Sequence, residues 1–251
     1  MTETQRLFLI EKASQSLLSE TCFFDPDEQK DKEKIRLFKK YPHLFVLCCL
    51  MDKQIDAARA WNIPFIICQA SSSWTIQELK GLSEEWLTNF FNKNSLHRFN
   101  NEMARVFHAG VERIRTEYKE DASLIWEGKP NSASVVARFL EFDGCGIKIA
   151  TMATNLLHRG MGVEFSDYSS IDISPDVHII RILSRLGLLK PEQVSNKTLA
   201  IYKAREINPS YPGLIDGFFW RIGTTFCRPS KPNCSGCPIE SICPTSHKAH
   251  L

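Results

Sequence analysis

The chain has 251 residues, 43% of them hydrophobic, and a formal net charge of +2 from 31 basic and 29 acidic side chains. This length allows one large domain or two small lobes with buried cores. No stretch approaches the roughly 18 apolar residues of a membrane span, and the polar first residues lack the apolar core of a secretory signal. The near balance of charge by itself predicts no polyanion partner. We therefore expect a globular protein of the cytosol or nucleoid.

The sequence predicts an all-α fold, because apolar residues recur mostly at three and four positions and Gly and Pro are sparse. No strand pattern persists along the chain. Glycine-containing breaks near 128–130, 144–146 and 160–170 separate a central helical block from the C-terminal third. The predicted helices, in chain order, span residues 5–19, 30–40, 43–61, 83–92, 100–118, 132–141, 147–158, 176–186, 191–204 and 212–222.

Two glycines, Gly144 and Gly146, separate the helix predicted at 132–141 from the one at 147–158. Glycine permits positive φ and close backbone approach, and the N–H groups at a helix start can bind a phosphate. An ordinary turn between helices has the same pattern. Lys148 lies in the first turn of the second helix, where the positive end of the helix dipole disfavours the charged form. A neutral lysine amine is a nucleophile, so Lys148 is a candidate catalytic residue. The alternative is that Lys148 is a surface lysine that only lies near a phosphate.

The helix predicted at 176–186 opens with an aspartate in a capping position. Asp176 precedes an apolar face formed by Ile179, Ile180 and Leu183, and the helix ends before Gly187. This pattern predicts Asp176 as the N-cap, and capping alone would account for the residue.

Nine cysteines, an odd number, make a disulfide framework unlikely, since Cys48, Cys49, Cys68 and Cys145 all lie in apolar surroundings. The C-terminal four have the spacing C-x6-C-x2-C-x5-C, with prolines and glycine that force turns. Such convergent thiolates predict a metal centre, either structural zinc or an iron–sulfur cluster. Zinc sites usually present two close pairs, and a single close pair favours a 4Fe-4S cluster. The four residues are Cys227, Cys234, Cys237 and Cys243.

The surrounding segment 221–251 is basic. It carries Arg221, Arg228, Lys231 and Lys248 against the single acidic Glu240. Such a surface suits contact with phosphates, and a solvated charged tail is the alternative.

The cysteine spacing resembles the C-terminus of the endonuclease III branch of the helix-hairpin-helix DNA glycosylases. The hairpin also resembles the family pattern L-P-G-V-G-x-K-T-A, which Gly144, Gly146, Lys148 and Ala150 match. Asp176-Val177-His178, with Arg181 three residues later, resembles the D-x-H segment of the family. The resemblance covers most of the chain from about residue 40 onward.

The resemblance implies a two-lobed fold: a helical barrel at 41–158 that contains the hairpin, and a second domain formed by 1–40 plus 159–251. By the same resemblance, the second domain would hold a 4Fe-4S cluster on the four cysteines, and the cluster would support a basic DNA-binding loop. Lys148 and Asp176 are expected at the mouth of a cleft between the lobes. Asp172 is the alternative to Asp176, because the connection from Lys148 is longer than usual in the family.

The implied activity is removal of a damaged or modified base from double-stranded DNA by a monomeric base-excision repair glycosylase. Lys148 would form a Schiff base that permits strand cleavage (AP lyase activity), and Asp176 would stabilise the cationic sugar. A monofunctional glycosylase and a DNA-binding module without chemistry are the alternatives.

Further residues are implied to bind DNA. Gln54 and Leu96 correspond to wedges that fill the gap left by an extruded base, although an exposed polar residue and ordinary core packing are the alternatives. Backbone contacts are implied for Gly144, Gly146, Arg228 and Lys231.

Overall fold

The computed structural model describes residues 2–16 and 29–246. Over these ranges the chain is helical and forms no strand, as the sequence predicted. The helices are α1 (Glu3–Ser16), α2 (Gln29–Lys40), α3 (Pro42–Met51), α4 (Ala57–Ala60), α5 (Ile63–Ser71), α6 (Ile76–Leu79), α7 (Glu84–Lys93), α8 (Asn100–Glu117), α9 (Ser132–Leu140), α10 (Ile147–Met161), α11 (Val177–Arg185), α12 (Lys197–Ile207) and α13 (Leu214–Thr225). Short 3-10 turns lie at Ala122–Ile125, Pro191–Gln193 and Glu240–Ile242.

The chain divides into two compact units. Unit 1 comprises Met1–Asp25, Asn131–Ala133 and Thr154–Leu251, and unit 2 comprises Pro26–Pro130 and Ser134–Ala153. The predicted end of the first helix at Ser19, and the basic residue Lys248, lie outside the described residues. Within the described ranges, no helix combines the length and apolar character needed to cross a membrane.

The core of unit 2 is built around α3. Every residue of this helix after Pro42 is buried, and α2, α5 and α8 pack around it. Phe45 makes an edge-to-face contact with Trp61 at 5.9 Å between ring centroids, and Phe38 approaches the same indole at 6.1 Å. Aromatic pairs in this geometry add to the stabilisation from burial. Helix α3 is thus held on all sides, which fixes the position of its C-terminal end.

The prediction of one helix over 43–61 is wrong, because α3 ends at Met51 and α4 begins at Ala57. The chain turns at Gln54, whose φ is +56°, a value that no α-helix residue adopts. Asp56 then starts α4 by accepting a hydrogen bond from Arg59 N at 3.0 Å. A side-chain cap of this kind begins a new helix rather than continuing the previous one.

A second helix prediction, over 191–204, is wrong in its bounds. Only a 3-10 turn forms at Pro191–Gln193, and α12 begins at Lys197 and continues to Ile207. The side chain of Asn196 accepts a hydrogen bond from Leu199 N at 2.9 Å and caps the new helix. Two short helices, α5 and α6, were not predicted at all.

The core of unit 1 lies where α1, α11, α12 and α13 pack together. Ile179 and Leu183 of α11 and Phe219 of α13 are almost fully buried there. The close approach of α11 to α13 needs a glycine: a Cβ on Gly223 would lie 2.6 Å from the Cβ of His178. The start of α11 and the end of α13 are therefore in direct contact beside the cysteine loop.

Candidate functional site

Lys148 follows directly after the glycine hairpin, in the first turn of α10. Gly144 has φ +76°, and a Cβ there would lie 2.9 Å from Cγ2 of Val106, so the turn needs a glycine for both reasons. Gly146 starts the helix by accepting hydrogen bonds from the N–H groups of Ile149 and Ala150, each at 3.0 Å. The hairpin therefore fixes the start of α10 and with it the position of the Lys148 backbone.

The ammonium of Lys148 contacts a carboxylate from another helix end. Lys148 Nζ donates to Asp52 Oδ1 at 3.4 Å; the lysine side chain is 38% exposed and the aspartate side chain 9%. Asp52 follows the last residue of α3, where its N–H donates to the carbonyl of Cys49. Asp52 was not predicted as a site residue, because its contact joins positions 96 apart and no local pattern reveals it.

Asp176 is the N-cap of α11, as predicted. Its Oδ1 accepts hydrogen bonds from the N–H groups of His178 at 2.8 Å and Ile179 at 2.9 Å. The side chain is half-buried. One carboxylate oxygen is thereby fixed at the positive end of the helix dipole.

Asp172, the alternative aspartate, is engaged elsewhere. Its two oxygens accept hydrogen bonds from Arg205 Nε at 2.8 Å and Nη2 at 2.9 Å, and its side chain is 8% exposed. Hydrogen bonding to this carboxylate raises the pKa of Arg205. A buried carboxylate in a bidentate pair has a structural role, so Asp172 is less available than Asp176 for contact with a ligand.

Arg181 joins the D-x-H segment to the cysteine loop. Its guanidinium donates to the carbonyls of Cys227 at 2.7 Å and Gly223 at 2.9 Å, and Nη2 lies 2.9 Å from His178 Nδ1. The arginine of this motif therefore holds α11 against the chain segment that leads into the loop.

Arg185, one turn further along α11, holds the loop itself. Its Nη1 donates to Cys227 Sγ at 3.1 Å and to the carbonyl of Arg228 at 2.8 Å, and Nη2 donates to the carbonyl of Pro229 at 3.0 Å. The Arg185 guanidinium thus contacts both the Cys227 sulfur and the backbone that follows it, which holds the start of the cysteine loop against α11. Arg228 and Lys231 are exposed on this loop.

The four C-terminal cysteines line one cavity in unit 1. Its other walls include the apolar side chains of Ile182, Ile222, Phe226 and Ile239. The four cysteines form no disulfide.

Burial raises the pKa of Cys237 to about 11, so a thiolate there requires a compensating cation. Within residues 2–16 and 29–246, no three or more His, Cys, Asp or Glu side chains are grouped so that they could hold a metal ion. The cavity nevertheless brings four cysteine sulfurs to one site, and such an all-sulfur donor set fits either zinc or an iron–sulfur cluster.

The two predicted wedge residues differ in exposure. Gln54 is exposed at the turn after α3, with φ +56°. Leu96 is 7% exposed, and its carbonyl accepts a hydrogen bond from Arg59 Nε at 3.0 Å. Insertion of Leu96 into a duplex would require the side chain to leave its packing. Lys148 lies in unit 2 and Asp176 in unit 1, so their meeting at one cleft stays a prediction.

The chain is similar in sequence to three curated proteins. It is 34% identical over 71 residues to the adenine DNA glycosylase of Arabidopsis thaliana, 28% over 107 residues to endonuclease III of Rickettsia conorii, and 28% over 142 residues to endonuclease III homolog 2, chloroplastic, of A. thaliana. These matches cover 27%, 41% and 54% of this chain, and 11%, 44% and 34% of the relatives. The chain thus matches less than half the length of each relative. No protein-family model matches it.

The fold matches solved structures over most of the chain. A trapped covalent intermediate of endonuclease III with DNA aligns with a TM-score of 0.60 and 15% identity, over 89% of this chain and 98% of that one. A thermostable thymine-DNA glycosylase aligns with a TM-score of 0.62 and 11% identity, over 97% of this chain and 98% of that one. Identities this low show the fold alone. With the sequence matches, they confirm the resemblance to the helix-hairpin-helix DNA glycosylases and the all-α fold of that family.

Proposed function

We propose that the chain is a DNA glycosylase of the endonuclease III type. It removes a damaged or modified base from double-stranded DNA and then cleaves the strand by β-elimination. The observation that carries the proposal is Lys148, placed directly after the glycine hairpin with a side chain 38% exposed. A fixed but accessible amine is what nucleophilic attack on a sugar requires.

In the proposed reaction, Lys148 attacks C1′ of a nucleotide extruded from the duplex. The base leaves with the electrons of the glycosidic bond, and the resulting Schiff base permits β-elimination. Asp176 is proposed to stabilise the positive charge that develops on the sugar. Its support is the rigid cap geometry, which holds the carboxylate in one orientation.

We further propose that Cys227, Cys234, Cys237 and Cys243 hold a 4Fe-4S cluster. The proposal is supported by the cavity that all four line and by the contact of Arg185 with Cys227 Sγ. Such a cluster, when bound, ties the loop together without taking part in base removal. A purified protein that is colourless and contains stoichiometric zinc would overturn this assignment.

The proposed DNA contacts come from both units. In unit 2, the hairpin glycines Gly144 and Gly146 would accommodate a phosphate, and Gln54 and Leu96 would fill the gap in the duplex. In unit 1, the exposed side chains of Arg228 and Lys231 would contact the backbone. Phosphate contacts of this kind make binding salt-dependent.

The test is incubation with a panel of duplexes that carry uracil, a thymine mismatch, an oxidised pyrimidine or an oxidised purine. Base release, strand cleavage and covalent trapping with borohydride are measured on each duplex. Wild-type protein is expected to form a trapped complex, which Lys148→Ala abolishes. Lys80→Ala, which removes an exposed lysine of the same unit, is the matched control and is expected to trap normally.

Trapping that persists undiminished in Lys148→Ala would refute the role of the lysine. Free base with an intact strand would instead favour a monofunctional glycosylase, in which water activated by Asp176 attacks. Salt-sensitive binding without base release from any duplex would favour a DNA-binding module.

A further inference from the structure

The contact between Lys148 and Asp52 pairs a partly exposed lysine with a buried aspartate. Lys148 Nζ is 3.4 Å from Asp52 Oδ1, with side-chain exposures of 38% and 9%. An ion pair with one solvent-exposed partner is screened by water, and burial of the carboxylate has a desolvation cost that a contact of 3.4 Å offsets only in part. The pair is therefore poorly explained as a device for stability alone.

Asp52 is held in place independently of the lysine. It follows the buried helix α3, and its Oδ2 accepts a hydrogen bond from Trp61 Nε1 at 3.4 Å. The carbonyl of the preceding Met51 lies 3.2 Å from Nε2 of the buried His97. Backbone and side chain are thus both fixed, and the second oxygen faces Lys148.

Three other ionisable groups lie close to Asp52: Lys53, Cys49 and His97. Lys53, the next residue, forms a salt bridge with Glu102 on α8. The thiol of Cys49 is fully buried, and burial raises its pKa well above the usual value, so it stays protonated. Burial likewise lowers the pKa of His97, which favours its neutral form.

We propose that Asp52 positions Lys148 and accepts a proton from it, which converts the ammonium into the attacking amine. This inference rests on the proposed glycosylase and lyase function. Because its side chain is only 9% exposed, Asp52 acts through Lys148 rather than on the DNA. It is a positioning residue that also serves as the local proton acceptor.

The proposed step balances as follows. One proton passes from Lys148 Nζ to Asp52 Oδ1; the amine then forms a bond to C1′ while the glycosidic bond breaks. The base keeps the electron pair and takes a proton from solvent. When the sugar ring opens, a second proton leaves the nitrogen for O4′, and a protonated Schiff base results. Asp52 returns its proton to solvent, which resets the pair.

The test uses a duplex with a preformed abasic site, so that the identity of the excised base does not matter. Single-turnover trapping with borohydride is measured over the pH range in which the duplex is stable. Asp52→Asn is compared with Asp56→Asn, which removes an exposed charge from the same loop while keeping a side chain able to cap α4. Asp52→Asn is expected to trap about 10²-fold more slowly near neutral pH, with a deficit that shrinks as alkaline solvent itself deprotonates the amine, and Asp56→Asn within about twofold of wild type at each pH.

The pH profile distinguishes the proposed role of Asp52 as proton acceptor from a role in which its charge only stabilises the Lys148 ammonium. If Asp52 only stabilised the ammonium, Asp52→Asn would favour the neutral amine and speed trapping at low pH. Trapping by Asp52→Asn that equals or exceeds that of the wild type near neutral pH would overturn the proposal. If wild-type protein itself fails to trap the abasic duplex, the proposed lyase function fails first, which is a distinct outcome.

A second variant covers the case in which Asp52→Asn does not fold. Trp61→Phe keeps an aromatic ring at this buried position, although a smaller one, and removes the N–H that donates to Asp52 Oδ2. It is expected to slow trapping several-fold near neutral pH while its circular dichroism matches that of the wild type. Unchanged trapping by a folded Trp61→Phe would show that the orientation of Asp52 is irrelevant and would overturn the positioning role.

Discussion

Asp172→Asn and Asp176→Asn are expected to have different effects. The first should lower the stability of the fold, and the second should lower the rate of the proposed reaction. Asp172 is buried and accepts two hydrogen bonds from Arg205, at 2.8 and 2.9 Å. Asp176 is half-buried, and its cap hydrogen bonds are ones that an asparagine oxygen can also accept. The two substitutions remove the same charge four residues apart, so each is the control for the other.

The expected loss of stability in Asp172→Asn depends on how far Asp172 and Arg205 are exposed to solvent. Removing one partner of a fully buried ion pair costs about 3–5 kcal/mol, whereas an exposed pair contributes about 0.2–1 kcal/mol. Asp172 is 8% exposed but Arg205 is 39% exposed, so solvent screens the pair in part. We expect Asp172→Asn to cost about 2 kcal/mol, which lowers Tm by about 4–8 °C. Asp176→Asn is expected to change stability by less than about 0.5 kcal/mol, because Asn and Asp cap equally well.

The assay combines thermal unfolding with borohydride trapping on an abasic duplex, expressed per folded molecule. Asp172→Asn should trap at the wild-type rate at a temperature where it is folded, and Asp176→Asn should trap at least about tenfold more slowly. Trapping that is lost in a folded Asp172→Asn but kept in Asp176→Asn would refute the reasoning and assign the essential role to Asp172.

Three further predictions concern other parts of the molecule. Gly144→Ala should destabilise the protein by about 1–3 kcal/mol in urea unfolding, while Gly146→Ala, where a Cβ has nothing within 4 Å, should cost far less; equal costs would contradict the proposed steric cause. Cys237→Ser should lose the visible absorbance and bound iron of the purified protein, whereas Cys145→Ser should keep both; iron retained in Cys237→Ser would exclude it as a ligand. Burial lowers the pKa of His43 to about 4, so its contribution of about 3 kcal/mol is full above pH 6.5 and is lost as pH falls toward 4. Replacement by Gln should flatten that part of the stability curve, and an unchanged slope would rule out His43 as its source.

The parts of the fold that follow from local patterns could be predicted from the sequence. The glycine hairpin, the start of α10 and the capping role of Asp176 each depend on residues within a few positions of one another. The end of α3 also had a local signal, since Asp56 can start a helix, but apolar residues continue past it at helical spacing. The prediction followed that spacing and missed the turn at Gln54.

The parts of the candidate site that depend on distant residues could not be predicted. Asp52 meets Lys148 across 96 positions, and Arg205 pairs with Asp172 across 33. Such contacts arise when whole helices pack, and no window of sequence contains both partners. The burial of Leu96 is of the same kind, because it depends on the packing of unit 2 rather than on its own segment.

Helix α11 has a consequence for how the protein matures. It is nine residues long, about 13 Å, with Asp176 capping its first turn and Arg185 in its last. Arg185 finds its partners only when Cys227 and the two residues after it have taken their final path. A polypeptide with an unformed cysteine loop would leave that guanidinium without its sulfur and carbonyl partners. Loop assembly is therefore expected to complete the contacts of the last turn of α11, whereas the Asp176 cap in the first turn needs only the N–H groups of His178 and Ile179 and can form before the loop does.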